Sequence, residues 1–248
     1  MVIGMIKKAL LVLVLLLLAP FSAQADSSLG IVGALSESPY KDTDSESGAL
    51  PNLSYTGERF YIRLPEIGYH LLPKNPAQSL AVGLSYERSG FDPDDSNDAN
   101  IRLLDDRDDS IMAFASYRIG PITTKLAQDI SGKHDGFYAQ ISAGYPIPVA
   151  AWKIIPSITY RYMDSKMSNH LFGVSQSESA KTGGAIATYD SPSVSRITYG
   201  VRGIYPFTQS VNLMLGISQT QYHDAILKSP IIEDNTVTSV LAGIVLSF

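Results

Sequence analysis

The chain has 248 residues, with 19 basic side chains against 24 acidic and no cysteine. A net charge of −5 lacks the basic footprint that nucleic-acid binding needs. The missing thiols exclude disulfides, thiolate metal sites and cysteine nucleophiles together, and they suit a chain that crosses an oxidising compartment unfolded.

At the N-terminus, Lys7 and Lys8 precede an apolar run from Ala9 to Ala19, then Pro20 and the small-residue signature Ala23-Gln24-Ala25. A run of this length rises only about 16 Å as a helix, against roughly 30 Å of hydrocarbon. The pattern predicts a secretory signal peptide over residues 1–25, cleaved after Ala25, with no cysteine following for lipid attachment. What remains, 26–248, reads as a single domain without repeat or linker. Without Lys7 and Lys8 its net charge is −7. No later stretch reaches eighteen consecutive apolar residues, so no spanning helix is expected.

From there the chain reads in period-two segments. Residues 28–36, 78–88 and 110–119 alternate weakly. In 137–145, Phe137, Ala139, Ile141 and Tyr145 oppose Tyr138, Gln140 and Ser142. In 152–163, Trp152, Ile154, Ile158, Tyr160 and Tyr162 oppose Lys153, Ser157, Thr159 and Arg161. In 195–205, Ile197, Tyr199, Val201 and Tyr205 oppose Arg196, Thr198 and Arg202, and in 210–218 Val211, Leu213, Leu215 and Ile217 oppose Ser210, Asn212 and Ser218. The last segment, 236–248, ends on Phe248 with Val240, Ala242, Ile244 and Leu246 on its parity. A terminal aromatic on such a strand resembles the signal read by outer-membrane assembly machinery. Tyr86, Tyr117, Tyr145, Trp152, Tyr162, Tyr205, Phe207 and Tyr222 fall where an interfacial girdle would be.

These features predict an all-β, transmembrane antiparallel β-barrel of the outer-membrane type, its apolar face against lipid. Working back from a periplasmic C-terminus, the long stretches 90–107, 164–193 and 223–235 come out extracellular. The short ones, 73–77, 120–121, 147–151 and 206–209, come out periplasmic, the expected asymmetry. Naive counting gives eleven strands, an odd number. The difficulty lies in 49–73, where the apolar parity is even before Pro65 (Phe60, Ile62, Leu64) and odd after it (Ile67, Tyr69, Leu71). A bulge there gives ten strands and a turn gives twelve, and twelve is favoured.

Residues able to carry chemistry are few. The stretch 92–109 holds eight aspartates but lacks the sixth-position glycine (Asn97) and twelfth-position glutamate (Leu103) of an EF-hand, so it reads as a solvated loop with no metal site. Ser168-Asn169-His170 alternates in direction and does not form a triad, and His223-Asp224 reads as ordinary loop. No catalytic residues or cofactor are assigned, and the chain reads as a non-enzyme. Lumen-facing parities carry Glu87, Arg118, Lys125, Asp129, Lys153, Arg161, Arg196 and Arg202, mostly basic. They line an anion-leaning pore, meet the acidic 92–109 loop as a plug, or simply fill a narrow barrel.

The connectors carry a further pattern. Ser38-Pro39-Tyr40 follows the first strand and Pro51-Asn52-Leu53-Ser54-Tyr55-Thr56-Gly57 comes next. Leu104-Asp105-Asp106-Arg107 precedes a strand, Gly173-Val174-Ser175 and Glu178-Ser179 sit in the longest loop, and Ser229-Pro230 precedes the last strand. In this order and spacing the chain resembles the MipA/OmpV family of MltA-interacting outer-membrane proteins. It departs from the family at His170-Leu171-Phe172, where relatives carry a Tyr-Tyr pair. The resemblance implies an outer-membrane protein that acts as a scaffold between a lytic transglycosylase and a penicillin-binding protein. A small-solute pore or permeability factor, or a surface adhesin, is the alternative.

Overall fold

The computed structural model describes residues 26–72 and 77–248, so the predicted signal peptide lies outside the described residues. Alternation becomes antiparallel strands: β1 (Asp26–Ser36), β2 (Glu46–Thr56), β3 (Phe60–Arg63), β4 (Glu66–His70), β5 (Gln78–Glu87), β6 (Ser110–Ile119), β7 (Ile122–Asp129), β8 (Phe137–Gly144), β9 (Ile147–Val149), β10 (Trp152–Met163), β11 (Val194–Pro206), β12 (Val211–Tyr222) and β13 (Thr236–Ser247). Each pairs with its chain neighbour, and β13 returns to β1. β8 and β9 both pair with β10 and occupy one place in the wall, so the closed barrel has twelve strands.

Pro65 marks a turn, not a bulge. Arg63 pairs with Glu66 across the two residues Leu64-Pro65, which join β3 to β4. Pairing across an even-length turn sets odd numbers opposite even ones, which is the parity slip seen in the sequence. The periplasmic turn expected over 147–151 is shorter. Ile147–Val149 continues the wall and the chain reverses at Ala150, which has φ 50°.

Large apolar side chains stand on the outer face, Ile31 at 67% exposed and Ile217 at 56% among them. That surface is stable only in hydrocarbon. Ile217→Arg should therefore cost about 2–4 kcal/mol, whereas Ser218→Asn on the lumen face should cost little. Urea titration of the refolded barrel in lipid vesicles measures both, and equal losses at the two positions would contradict the assignment of faces.

The buried apolar core is shared between the lumen face of the strands, where Met112, Tyr138 and Met163 are fully buried, and the loops above it. Three long connections leave the same rim, 37–45 between β1 and β2, 88–109 between β5 and β6, and 164–193 between β10 and β11. Two wall strands separate each from the next, so their anchors divide the rim into thirds. They nevertheless meet. The Tyr40 ring lies 4.6 Å from Phe91 and 6.4 Å from Phe172, and Thr43 bridges Ser96. Loops anchored a third of a turn apart touch only by crossing the mouth. A fourth connection, 223–235, joins them through the Tyr40–Ile232 bridge. Ile101, Ile226 and Ile231 are fully buried in the resulting cap.

Candidate functional site

The cap is organised around helix ends in the longest loop. Helix α1 (Ser165–Phe172) starts at Asp164, whose side chain accepts from the Met167 N–H. Helix α2 (Gln176–Lys181) starts at Ser175 with a reciprocal capping box to Glu178. Glu178 does more than cap. Its Oε1 accepts from Arg107 Nη1 at 2.6 Å and from the Asp105 N–H at 3.3 Å. Arg107 also donates to the Gly173 carbonyl at 2.9 Å and lies 5.3 Å above the Phe91 ring. Tyr40 donates to the Leu171 carbonyl at 3.2 Å, and Ser229 to the Phe172 carbonyl at 2.6 Å. Residues scattered from position 40 to 229 thus form one clamp. Leu104 and Val174 are buried in its apolar centre, and Asp105 pairs with Lys181 at its surface.

Burial raises the Tyr40 phenol well above its ordinary range. Burial also pushes Glu178 upward, but the Ser175 N–H and Arg107 outweigh it and hold the carboxyl below its usual value. A depressed pKa contributes stability above the unfolded value, near 4.3, that is lost as pH falls through the folded one. Amide protection factors across 164–193, with the intrinsic pH dependence of exchange divided out, should therefore fall reversibly as the pH drops below the ordinary glutamate range. Glu178→Gln should flatten that dependence, and an unchanged slope in the variant would assign it elsewhere.

Below the cap the lumen holds a polar ladder. Glu87 accepts from Arg161 Nη1 and from the Tyr138 hydroxyl, both at 3.0 Å, and Arg161 Nε donates to Gln140 at 2.9 Å. Arg161 lies 4.0 Å over the Tyr138 ring and is register partner to Arg196, which donates to the Tyr222 hydroxyl at 2.8 Å. Tyr222 therefore faces the lumen, packed edge-on against Phe172, and is not part of the girdle expected from its sequence position. Lys125 donates to Glu66 at 2.5 Å and lies 4.2 Å from the Phe114 ring. Between ladder and cap is a chamber of about 250 Å³ bounded by Tyr40, Glu46, Glu87, Arg88, Arg161 and Arg196.

The remaining charges of that parity do other things. Asp129 accepts from the N–H groups of Ser131, Lys133, His134 and Asp135 and so shapes the 130–136 loop. Lys153 and Arg202 stand exposed near the end opposite the cap, and Arg118 donates to the Gly120 carbonyl at 3.4 Å. The aspartates of 92–109 reach loop lysines, Asp98 to Lys41 and Asp108 to Lys133, while Arg161 and Arg196 in the lumen bond to Glu87 and Tyr222. Asp92 and Asp98 cap turns. Ser168 binds Ser191, Asn169 accepts from the Ser191 N–H, and His170 reaches the Asp108 carbonyl, so that triplet points three ways. His223 caps a 3₁₀ turn through the Ala225 N–H.

Glu66, Arg63 and Tyr222 were not among the lumen residues expected from the sequence. Glu66 follows the turn at Pro65, and the apolar parity of Ile67, Tyr69 and Leu71 sets it on the opposite, lumen face. Tyr138 stands on the polar face of its strand as the alternation predicts, whereas Tyr222, on the polar parity of β12, was expected at the membrane interface.

The whole arrangement has relatives. A putative outer membrane protein, YiaT, of Escherichia coli K12 is 27% identical over 239 residues, covering 94% of this chain and 96% of that protein. A protein of the same organism described as MltA-interacting protein is 26% identical over 231 residues, covering 91% and 92%. The COG4313 outer membrane channel of Pseudomonas putida F1 aligns at a TM-score of 0.40 with 10% identity, over 92% of this chain and 97% of the channel. The family model described as MltA-interacting protein MipA matches residues 29–248, the barrel and every loop of its cap, and the chain belongs to that family.

Proposed function

We propose that the protein is a closed-mouth outer-membrane barrel that anchors a peptidoglycan-remodelling enzyme, a lytic transglycosylase and through it a penicillin-binding protein, and does not work by passing solutes. The observation that supports this is the cap. Loops from three thirds of the rim interlock over the mouth around a buried apolar core and a buried Arg107–Glu178 pair. A diffusion pore has no use for such a seal. The name of the 26% identical relative points to the partner class. Export by a signal peptide cleaved after Ala25 belongs to the same reading, and N-terminal sequencing of the membrane form should begin at Asp26.

Affinity capture from detergent-solubilised membranes, with the cell's own lytic transglycosylases as bait, should recover the barrel. The purified protein should show no stable conductance in planar bilayers. Steady channels together with failed capture would overturn the scaffold reading. They would favour instead a small-solute pore, for which the exposed Lys153 and Arg202 are the specific argument.

A further inference from the structure

The wall is incomplete beneath the cap. β3 and β4 are four and five residues long, whereas β2 has eleven and β5 ten. β3 pairs only with Ser54, Tyr55 and Thr56 of β2, and the last bond on that side runs from the Leu64 N–H to the Leu53 carbonyl. Above it, Glu46 to Asn52 have no strand partner on the side away from β1 among the described residues. That free edge is roughly 20 Å long at about 3.3 Å per residue. On the opposite side, the Tyr86 N–H reaches the Pro65 carbonyl and β5 ends at Glu87. The Arg88–Glu46 ion pair, at 3.5 Å, ties the two sides together at the top.

Exposure shows the same opening. Ser47 to Pro51 are exposed at five successive positions, where β12 and β13 mostly alternate. Leu50 lies on the lumen parity with Asn52 and Ser54, yet is 55% exposed. Pro51, lacking an N–H, suits an unpaired edge.

A strand edge cannot face hydrocarbon unsatisfied. Around the gap the outward residues are apolar and exposed, Ile31 and Leu35 on β1, Leu64 and Leu84 beyond it. Behind it lies the chamber. Three arginines there face two carboxylates: Glu46 pairs with Arg88 and Glu87 with Arg161, while Arg196, which donates to the Tyr222 phenol, makes no direct ion pair among the described residues and shares Glu87 through space. A site with an apolar approach, polar edges and one guanidinium in excess of its carboxylates suits one kind of molecule. We propose that the gap between β2 and β5 is a lateral portal, through which an amphiphile with a single anionic head group seats that head against Arg196 and leaves its acyl chain in the bilayer. The head group and its waters then satisfy the free edge of β2.

The test uses the intact barrel in phosphatidylcholine nanodiscs with spin-labelled palmitate as probe. The wild type should show a motionally restricted component that laurate displaces and acetate in large excess does not. Arg196→Gln should weaken it about tenfold or more, the scale of a charge-assisted hydrogen bond. Gly48→Trp should block entry from the gap. A Cβ at Gly48 meets nothing within 4 Å, so the barrel should still fold, which heat-modified gel mobility checks. Binding unaffected by Gly48→Trp, or displaced equally by acetate, would reduce the site to a lumen anion pocket and overturn the portal. Absence of a restricted component would overturn it as well. In ligand-free barrels the β2 amides pointing away from β1 should exchange fast. Protection matching the paired strands would show that a peptide strand covers the edge, and would also refute the proposal.

Discussion

Replacing Arg107 with alanine should release the cap, at a local cost of about 3–5 kcal/mol, the range for removing one partner of a buried pair. Both side chains are almost fully buried, Arg107 at 9% and Glu178 at 5% exposed. The variant leaves the Glu178 carboxylate with the Ser175 and Asp105 N–H groups alone. It also removes the contact to the Gly173 carbonyl and the guanidinium over Phe91, so the 88–109 and 164–193 loops lose their principal tie. Amide exchange over 164–193 should accelerate strongly while the strands stay protected, and bilayer recordings should change from silent to intermittently conducting. Arg107→Lys should fall between, because an ammonium lacks the fork that reaches Glu178 and Gly173 together. In the double variant with Glu178→Ala the loss should be smaller than the sum of the single losses, since no orphaned charge remains. Unchanged exchange in Arg107→Ala would mean that the apolar core alone holds the cap.

The strands were legible because lipid outside and polar lumen inside impose period two on every pass. Phe137 to Tyr145 and Val211 to Ser218 show both faces in full. The twelfth strand was legible only as a parity slip at Pro65, because β3 and β4 are too short to alternate convincingly on their own. The cap was not legible. Its elements are two helices of eight and six residues and several 3₁₀ turns, too short for a periodic signature. Its cohesion comes from contacts as distant as Tyr40 to Leu171. Ser175 and Glu178 did carry a capping-box spacing, a local sign of a helix start. That Glu178 also receives Arg107 from another loop depends on how the barrel places the two loop anchors, which no local pattern reports. The connector motifs behaved differently: Tyr40, Arg107, Gly173, Glu178 and Ser229 belong to the spaced set that carries the family resemblance, and the clamp gives that set a physical reason.

A second large effect is expected at Glu87. Register pairing sets Arg161 directly opposite Arg196, and two guanidinium groups side by side in a narrow lumen repel each other. Glu87 relieves this by accepting from Arg161 while Tyr138 holds the carboxylate from the other side. Glu87→Ala should leave both cations unbalanced and cost about 3–5 kcal/mol of barrel stability. The unfolding midpoint in urea, followed by gel mobility of the refolded barrel, should drop accordingly. Glu87→Gln keeps an acceptor for Arg161 and should lose less. Raising chloride should recover part of the loss in Glu87→Ala, because anions can then enter beside the arginines. Arg202 is the control, lying on the same lumen parity of β11, exposed and without a side-chain partner among the described residues. Arg202→Ala should stay within about 0.5 kcal/mol of the parent. If Glu87→Ala were as mild as Arg202→Ala, the ladder would be filling space and not balancing charge. The twelve-stranded wall would then owe its stability to its lipid face alone.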